Sequence, residues 1–294
     1  MAEQYSPPWE ADAETNSIAD AVARPVPDNG VIERRRTSTS IGDIVVLTLN
    51  THKGLSPLNR RFVLPELRDA IRAVGADIVF LQEVLGAHQR HALRFPGWPT
   101  DPQYEFLADS IWPQFAYGRN AVYPDGDHGN AVLSKFPIES HNNVDASMGP
   151  HERRGILHCT LRRPGDATPV HAFCIHLGLR EHHRGKQLDL LCRLIDALPP
   201  GDPVIVAGDF NDWRLRANEV LGRCVGLQEV WSHEFGLPAK TFPARYPLLR
   251  LDRIYVRGLR VRSRYALSTG PWPHLSDHIP LAATLLAPAP TAEN

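Results

Sequence analysis

Long apolar runs, lysine and patterned cysteine are all scarce in this chain of 294 residues, and each scarcity removes a class of protein. No apolar stretch approaches the roughly 20 residues of a membrane-spanning helix, so no constitutive membrane insertion is expected. Met1 to Asp12 is polar, acidic and broken by Pro7 and Pro8. Without a basic start or an apolar stretch it is not a secretory signal, and a cytoplasmic location is expected. The four cysteines, Cys159, Cys174, Cys192 and Cys224, form no CxxC pair and no repeated spacing, which argues against both a zinc site and a disulfide framework. They read as small buried apolar residues. A net charge of -1 removes the simplest argument for a broad electrostatic nucleic-acid binder. Lysine occurs only at Lys53, Lys135, Lys186 and Lys240. The remaining basic residues are arginines, the better bidentate partners for phosphate, though genome composition produces the same bias.

What is present is the composition of a globular protein, 43% hydrophobic and 22% charged. Residues 1–38 are rich in Pro, Ala, Glu, Asp, Asn and Ser and have no period, so they read as a disordered arm. The tail 287–294 reads the same way, leaving one domain over 39–286. Within it, Ile44–Leu49, Ile78–Leu81, Ala131–Ser134, Ile156–Leu161, Val170–Ile175, Val204–Ala207, Arg253–Val256 and Leu281–Leu286 read as strands. Leu64, Leu67, Ile71 and Val74 recur at helical spacing up to Gly75, and Leu188, Leu191, Ile195 and Leu198 up to Pro199-Pro200-Gly201. The alternation indicates a layered α/β protein, with one sheet or two left open by periodicity.

The chemistry lies where polar residues fall. Asn50, Glu83, His176, Asp209, Asn211 and Asp252 each stand at or beside the end of an apolar strand, and such positions gather along one rim of a sheet. A rim of carboxylates, carboxamides and histidine is expensive to desolvate unless a metal or an anion compensates it. Hard cations such as Mg²⁺ or Mn²⁺ take oxygen ligands, which Glu83 and an aspartate among 209, 252 and 277 would supply. Asp209 and Asn211 share a face if the segment stays extended, one handling a water and the other fixing it. His278 needs an acidic partner, for which Asp252 is the candidate, and His176 would donate to a nonbridging phosphate oxygen.

Seven motifs in order carry a resemblance: Leu47-Thr48-Leu49-Asn50, Leu81-Gln82-Glu83-Val84, Gly129-Asn130-Ala131-Val132-Leu133-Ser134, Ile175-His176-Leu177, Gly208-Asp209-Phe210-Asn211, Leu251-Asp252-Arg253-Ile254 and Ser276-Asp277-His278. The chain resembles the endonuclease/exonuclease/phosphatase (deoxyribonuclease-I-like) superfamily. More narrowly, Asn50-Thr51-His52-Lys53-Gly54 and His176-Leu177-Gly178-Leu179-Arg180-Glu181 resemble a bacterial subgroup often encoded near cardiolipin synthases. The resemblance implies a four-layer αββα sandwich of two packed mixed β-sheets and a phosphoesterase using Mg²⁺ or Mn²⁺. It implies Glu83 as principal metal ligand with Asn50 and Asp277 close by. His176, Asp209, Asn211, Asp252 and His278 are the implied catalytic set. Two departures stand out: His52 occupies a position that is acidic in abasic-site endonucleases, and Asp125, Asp127 and His128 stand where relatives often place a tyrosine or an acid.

For substrate contacts, Lys53, Asn130, Arg180 and Phe242 are the candidates, Lys53 and Arg180 lying with Arg153-Arg154 in loops expected near the rim. The expected partner is a phosphate ester, and the chain is expected to be a monomer. Three readings stay open: a phosphodiesterase on nucleic acid, slightly favoured by fold analogy; one on a phospholipid headgroup or small metabolite; and a silent binding protein.

Overall fold

The computed structural model describes residues 43–149 and 152–286, so the expected arm 1–38 and tail 287–294 lie outside the described residues. The first half runs β1 (Asp43–Asn50), α1 (Leu64–Val74), β2 (Ile78–His88), α2 (Gln89–Arg94), α3 (Gln103–Ala108), β3 (Gln114–Tyr123), β4 (Gly126–Ser134), β5 (Ile138–Asp145) and β6 (Gly155–Leu161). The second runs β7 (Val170–His176), α4 (Glu181–Asp196), β8 (Val204–Asp209), α5 (Arg216–Val225), β9 (Gln228–Glu229), α6 (Ser232–Phe235), β10 (Asp252–Arg257), β11 (Arg260–Ala266), α7 (Trp272–Leu275) and β12 (Leu281–Leu286).

The strands form two six-stranded sheets, ordered β11-β12-β1-β2-β4-β3 and β5-β6-β7-β8-β10-β9. Each is mixed, because β1 and β2 are parallel, as are β7 and β8, while the other pairs are antiparallel. The inner faces bury Val46, Phe80 and Val132 of the first sheet against Leu157, Ala172, Ile205 and Ile254 of the second. Outside the first sheet lie α1, α3 and α7, through Leu67, Ile71, Leu107 and Leu275. Outside the second lie α4 and α5, through Leu188, Leu191, Ala217 and Leu221. The result is the four-layer αββα sandwich. Central strands covered on both faces read as continuous apolar runs, and every residue of β7 and β8 is buried. Truncating a core side chain such as Phe80, fully buried, to alanine would cost about 3–5 kcal/mol.

Helix α1 ends at Gly75, whose φ of 74° gives the left-handed cap that the sequence marks. Helix α4 starts earlier than its apolar period. Glu181–Arg184 forms its first turn, where Glu181 faces the positive end of the helix dipole. The cysteine reading also needs correction. Cys192 on α4 and Cys224 on α5 form a disulfide, with Cα atoms 6.3 Å apart, and only Cys159 and Cys174 are free and buried. The two helices pack side by side on one sheet, a proximity that spacing along the chain does not reveal. No helix among the described residues is long and apolar enough to cross a membrane.

Candidate active site

Strand direction assembles the rim. Parallel β7 and β8 end together with His176 opposite Asp209, while antiparallel β10 begins there with Asp252 opposite Asp209. In the other sheet β1 ends at Asn50, and the Ser276-Asp277-His278 segment precedes β12, its antiparallel neighbour. Gly208 makes the first pairing possible. A Cβ there would lie 2.0 Å from the Ile175 carbonyl oxygen, so a side chain would push β8 away from β7 and separate His176 from Asp209.

The two sheets meet at Asp209. Asn50 Nδ2 donates to its Oδ2 at 3.2 Å, and His176 Nε2 and His278 Nε2 lie 3.5 and 3.9 Å from the same oxygen. His278 Nδ1 is 2.8 Å from Asp252 Oδ2. Thr241, fully buried, accepts the backbone N–H groups of Leu251 and Asp252 on its Oγ1, and Ser276 Oγ donates to the Asn50 carbonyl while accepting the His278 N–H. These hydroxyls fix the direction of Asp252 and His278. Asn211 departs from the extended geometry expected of it. Its N–H donates to Asp209 Oδ1 at 2.9 Å in a local turn, its φ is 49°, and its amide reaches the Leu177 carbonyl. The turn wins because Asp209 satisfies the N–H two residues on with its own carboxylate.

Burial and neighbouring charge divide the roles of the two histidines. Burial disfavours the imidazolium of His278, but the carboxylates of Asp252 and then Asp209 outweigh it and hold its pKa at about 10. His176 goes the other way: burial lowers it well below the usual histidine value, and Arg154, His278, His128 and Lys53 push it further down. Burial lifts Asp209 to about 6, against the pull of His278 and with the push of Asp252. The site therefore holds a cationic histidine, a neutral one and a carboxylate poised near neutrality, an arrangement suited to proton handling and to stabilising growing negative charge.

The sequence profile of the Endonuclease/Exonuclease/phosphatase family matches residues 47–278. The chain belongs to that family. Its members are typically metal-dependent phosphoesterases. The uncharacterized protein YbhP of Escherichia coli (strain K12) is 55% identical over 240 residues, 82% of this chain and 95% of that protein. Among solved structures, the endonuclease/exonuclease/phosphatase from Beutenbergia cavernae DSM 12333 superposes with a TM-score of 0.67 at 22% identity, covering 85% of this chain and 73% of that one. D. rerio TDP2 complexed with single strand DNA product gives 0.63 at 18% identity, covering 83% and 98%.

Such enzymes use a divalent cation, and oxygen donors are available for one. Glu83 lies inside β2, which runs on to His88 instead of stopping at Leu81. The pairing with β4 shifts between Leu81 and Val84, and Glu83 takes a φ of 54° in that irregularity, which re-aims its side chain. Among the described residues no hydrogen bond or ion pair engages its carboxylate, and its charge reaches His52 and His128. Glu83, Asp277 and the Asn50 amide form the kind of donor set a hard cation prefers. Ligand atoms of Asp209, Asp252 and His278 also lie within 4.8 Å of one another. That cluster suits a cation less well, because its histidine is held protonated and its carboxylates are already bonded to it and to Asn50. His52 pairs with Asp277 at 3.2 Å; this hydrogen bond raises the histidine and, despite burial, helps lower the carboxyl. The departure noted at position 52 thus places a proton-holding group beside Asp277.

The substrate candidates separate. The charge of Lys53 reaches His52, His128 and His176, and the Phe242 ring lies 5.0 Å from that of His278. Asn130 is buried, and its Nδ2 donates to the Gly155 and Cys174 carbonyls of the opposite sheet, a tie between the two sheets. Arg180 is exposed, with no side-chain contact to the catalytic group among the described residues. Arg154 approaches the site instead, its Nε donating to the Leu177 carbonyl while its charge bears on His176. Of the three residues before the Gly129 motif, Asp127 accepts the Tyr117 hydroxyl at 2.6 Å, while His128 feels Lys53, Glu83 and Arg154.

Proposed function

We propose that this protein is a divalent-metal-dependent phosphodiesterase that hydrolyses P–O bonds with water, nucleic acid being the favoured substrate. The observation that carries the proposal is one carboxylate oxygen, Asp209 Oδ2, lying within 4 Å of both a neutral and a cationic histidine. Ionised above about pH 6, Asp209 takes a proton from the attacking water, while Asn211 holds the loop around it. His278, kept charged by Asp252, and His176, donating its single N–H, stabilise the charge that grows on the nonbridging oxygens. Mg²⁺ or Mn²⁺ held by Glu83, Asp277 and Asn50 would supply electrostatic stabilisation of the leaving oxygen.

A phospholipid headgroup is the second reading, favoured by exposed Leu58, Tyr246 and Leu248 on loops that flank Asp277. The purified protein, assayed with Mg²⁺, Mn²⁺ or EDTA on single- and double-stranded DNA, RNA, phospholipids, inositol phosphates and bis(p-nitrophenyl) phosphate, decides between them. Cleavage should require the metal and fall by about two to four decades in Asp209→Asn, the usual loss of an acid-base group. Metal-independent turnover, or Asp209→Asn at wild-type rate, rejects the proposal.

A further inference from the structure

Beside Asp277 opens a cleft of about 710 Å³, within the size range of pockets that take whole small ligands. Three segments wall it: Ser56–Arg61 after the turn that follows β1, Pro243–Arg245 next to Phe242, and Pro271–Leu275 leading into the Asp277 segment. The cleft borders the catalytic group through Asp277. Ala244 donates its N–H to the Asp277 carbonyl at 2.8 Å, and Phe242, one residue before the second wall, lies against His278.

Its charges do not cancel. Glu66 is matched by Arg61 at 3.6 Å and Asp277 by His52 at 3.2 Å. Arg60 and Arg245 also face the cleft, and among the described residues no carboxylate lies within ion-pair distance of either. Arg245 Nη2 stands 3.3 Å from His274 Nδ1, a contact that directs the guanidinium toward the third wall. Two guanidinium groups without a carboxylate partner, over a lining of Pro243, Pro271 and Leu275, combine bidentate donors for phosphate with apolar surface for a flat ring or a sugar.

We propose that this cleft is a subsite for the nucleotide next to the scissile phosphate, with Arg60 and Arg245 binding that neighbour's own phosphate. The inference rests on the phosphodiesterase reading above and makes the substrate a nucleic-acid strand rather than an isolated diester. Hydrolysis requires only one phosphate at Asp209, so the second contact acts on binding and favours substrates that carry it.

The test compares wild type with the Arg60→Ala/Arg245→Ala double variant on bis(p-nitrophenyl) phosphate, which has one phosphate, and on single-stranded oligonucleotides of two to six residues. Both arginines are exposed, and thermal unfolding checks that the variant is folded. In the wild type, kcat/KM should rise once the oligonucleotide carries a phosphate beyond the scissile one. In the variant that rise should shrink by about tenfold or more, the usual worth of a charge-assisted hydrogen bond, through KM and with kcat kept. Bis(p-nitrophenyl) phosphate should change by no more than about twofold, and Arg60→Lys/Arg245→Lys should recover part of the loss. Equal loss on both substrates, or no change on either, overturns the subsite while leaving the phosphodiesterase reading intact. Turnover of anionic phospholipid vesicles that is sensitive to the variant, with no oligonucleotide cleavage, overturns the nucleotide assignment. Absence of any metal-dependent hydrolysis in the wild type sinks both.

Discussion

Replacing Asp252 by Asn removes the charge that keeps His278 protonated, and the structure fixes the size of the effect. His278 Nδ1 and Asp252 Oδ2 are 2.8 Å apart in a buried setting. With charge centres about 4 Å apart and an effective dielectric constant of about 20, the attraction is about 4 kcal/mol, or roughly three pKa units. Asp209 and Asp277 supply the rest of the rise that takes His278 to about 10 against burial. In Asp252→Asn, with Asp209 and Asp277 still raising the ring against burial, the loss of roughly three units should bring His278 down to about 7. The neutral ring can still donate from Nδ1 to the Asn carbonyl oxygen, so the fold should lose no more than about 1–3 kcal/mol. Ring ¹⁵N NMR of the metal-free protein in EDTA reads the titration directly, and the pH dependence of bis(p-nitrophenyl) phosphate hydrolysis reads its consequence. At pH 8 the variant should be slower by about one decade, as for loss of the charged oxyanion partner from most of the molecules. A variant ring that still titrates near 10, or a wild-type rate at pH 8, would refute the reasoning.

Glu83→Gly should abolish metal-dependent hydrolysis yet raise the urea midpoint by the equivalent of up to about 1 kcal/mol, because a left-handed φ of 54° is costly for any residue but glycine; an unchanged or lower midpoint would show that the irregularity carries no such cost. Reduction with dithiothreitol, or Cys192→Ser, should cost about 3–4 kcal/mol, the loop-closure effect for cysteines 32 residues apart, measured as a lowered urea midpoint that dithiothreitol does not lower further in the variant. His158 is lowered to about 4 by burial and by neighbouring His171, so the unfolded chain takes up its proton first, and the stability this group contributes is full above pH 6.5 and is lost as pH falls toward 4. With its partial exposure the loss should be about 1–2 kcal/mol, and His158→Gln should flatten the fall in urea midpoint between pH 7 and pH 4.5; an identical slope in both proteins removes His158 from the account.

Legibility in the sequence followed burial. Strands β1, β7 and β8, covered on both faces, announced themselves as largely apolar runs, and the polar residues ending them stood out against that background. The edge strands did not. The sequence Ile-Glu-Ser-His-Asn-Asn-Val-Asp of β5 and the alternating arginines of β11 carry the polar and charged side chains that edges use to avoid pairing with other chains, and such strands have no apolar period to read. Within the site, residue identity was legible but conformation was not. Nothing in Gly208-Asp209-Phe210-Asn211 distinguishes an extended segment from the turn that Asp209 Oδ1 closes onto the Asn211 N–H. The disulfide and the approach of Arg154 to His176 depend on tertiary placement, which only the packing of α4 on α5 and of the 152–154 segment on Leu177 creates.

Because Asn50 belongs to one sheet and Asp209 to the other, the site exists only while the two sheets hold their relative position. Apolar packing alone fixes that position loosely, since Leu, Val and Ile side chains tolerate small slips at modest cost. The polar ties near the rim are stricter. The Asn130 amide reaches two carbonyls across the interface, and Gln82 Nε2 lies 3.3 Å from both Thr48 Oγ1 of its own sheet and Cys174 Sγ of the other. All four residues are buried, so a slip that broke these bonds would leave buried donors unpaired, at about 1–3 kcal/mol each. Asn130, which reads from sequence as a substrate contact, thus ties β4 to β6 and β7 across the interface that also brings Asn50 and Asp209 together.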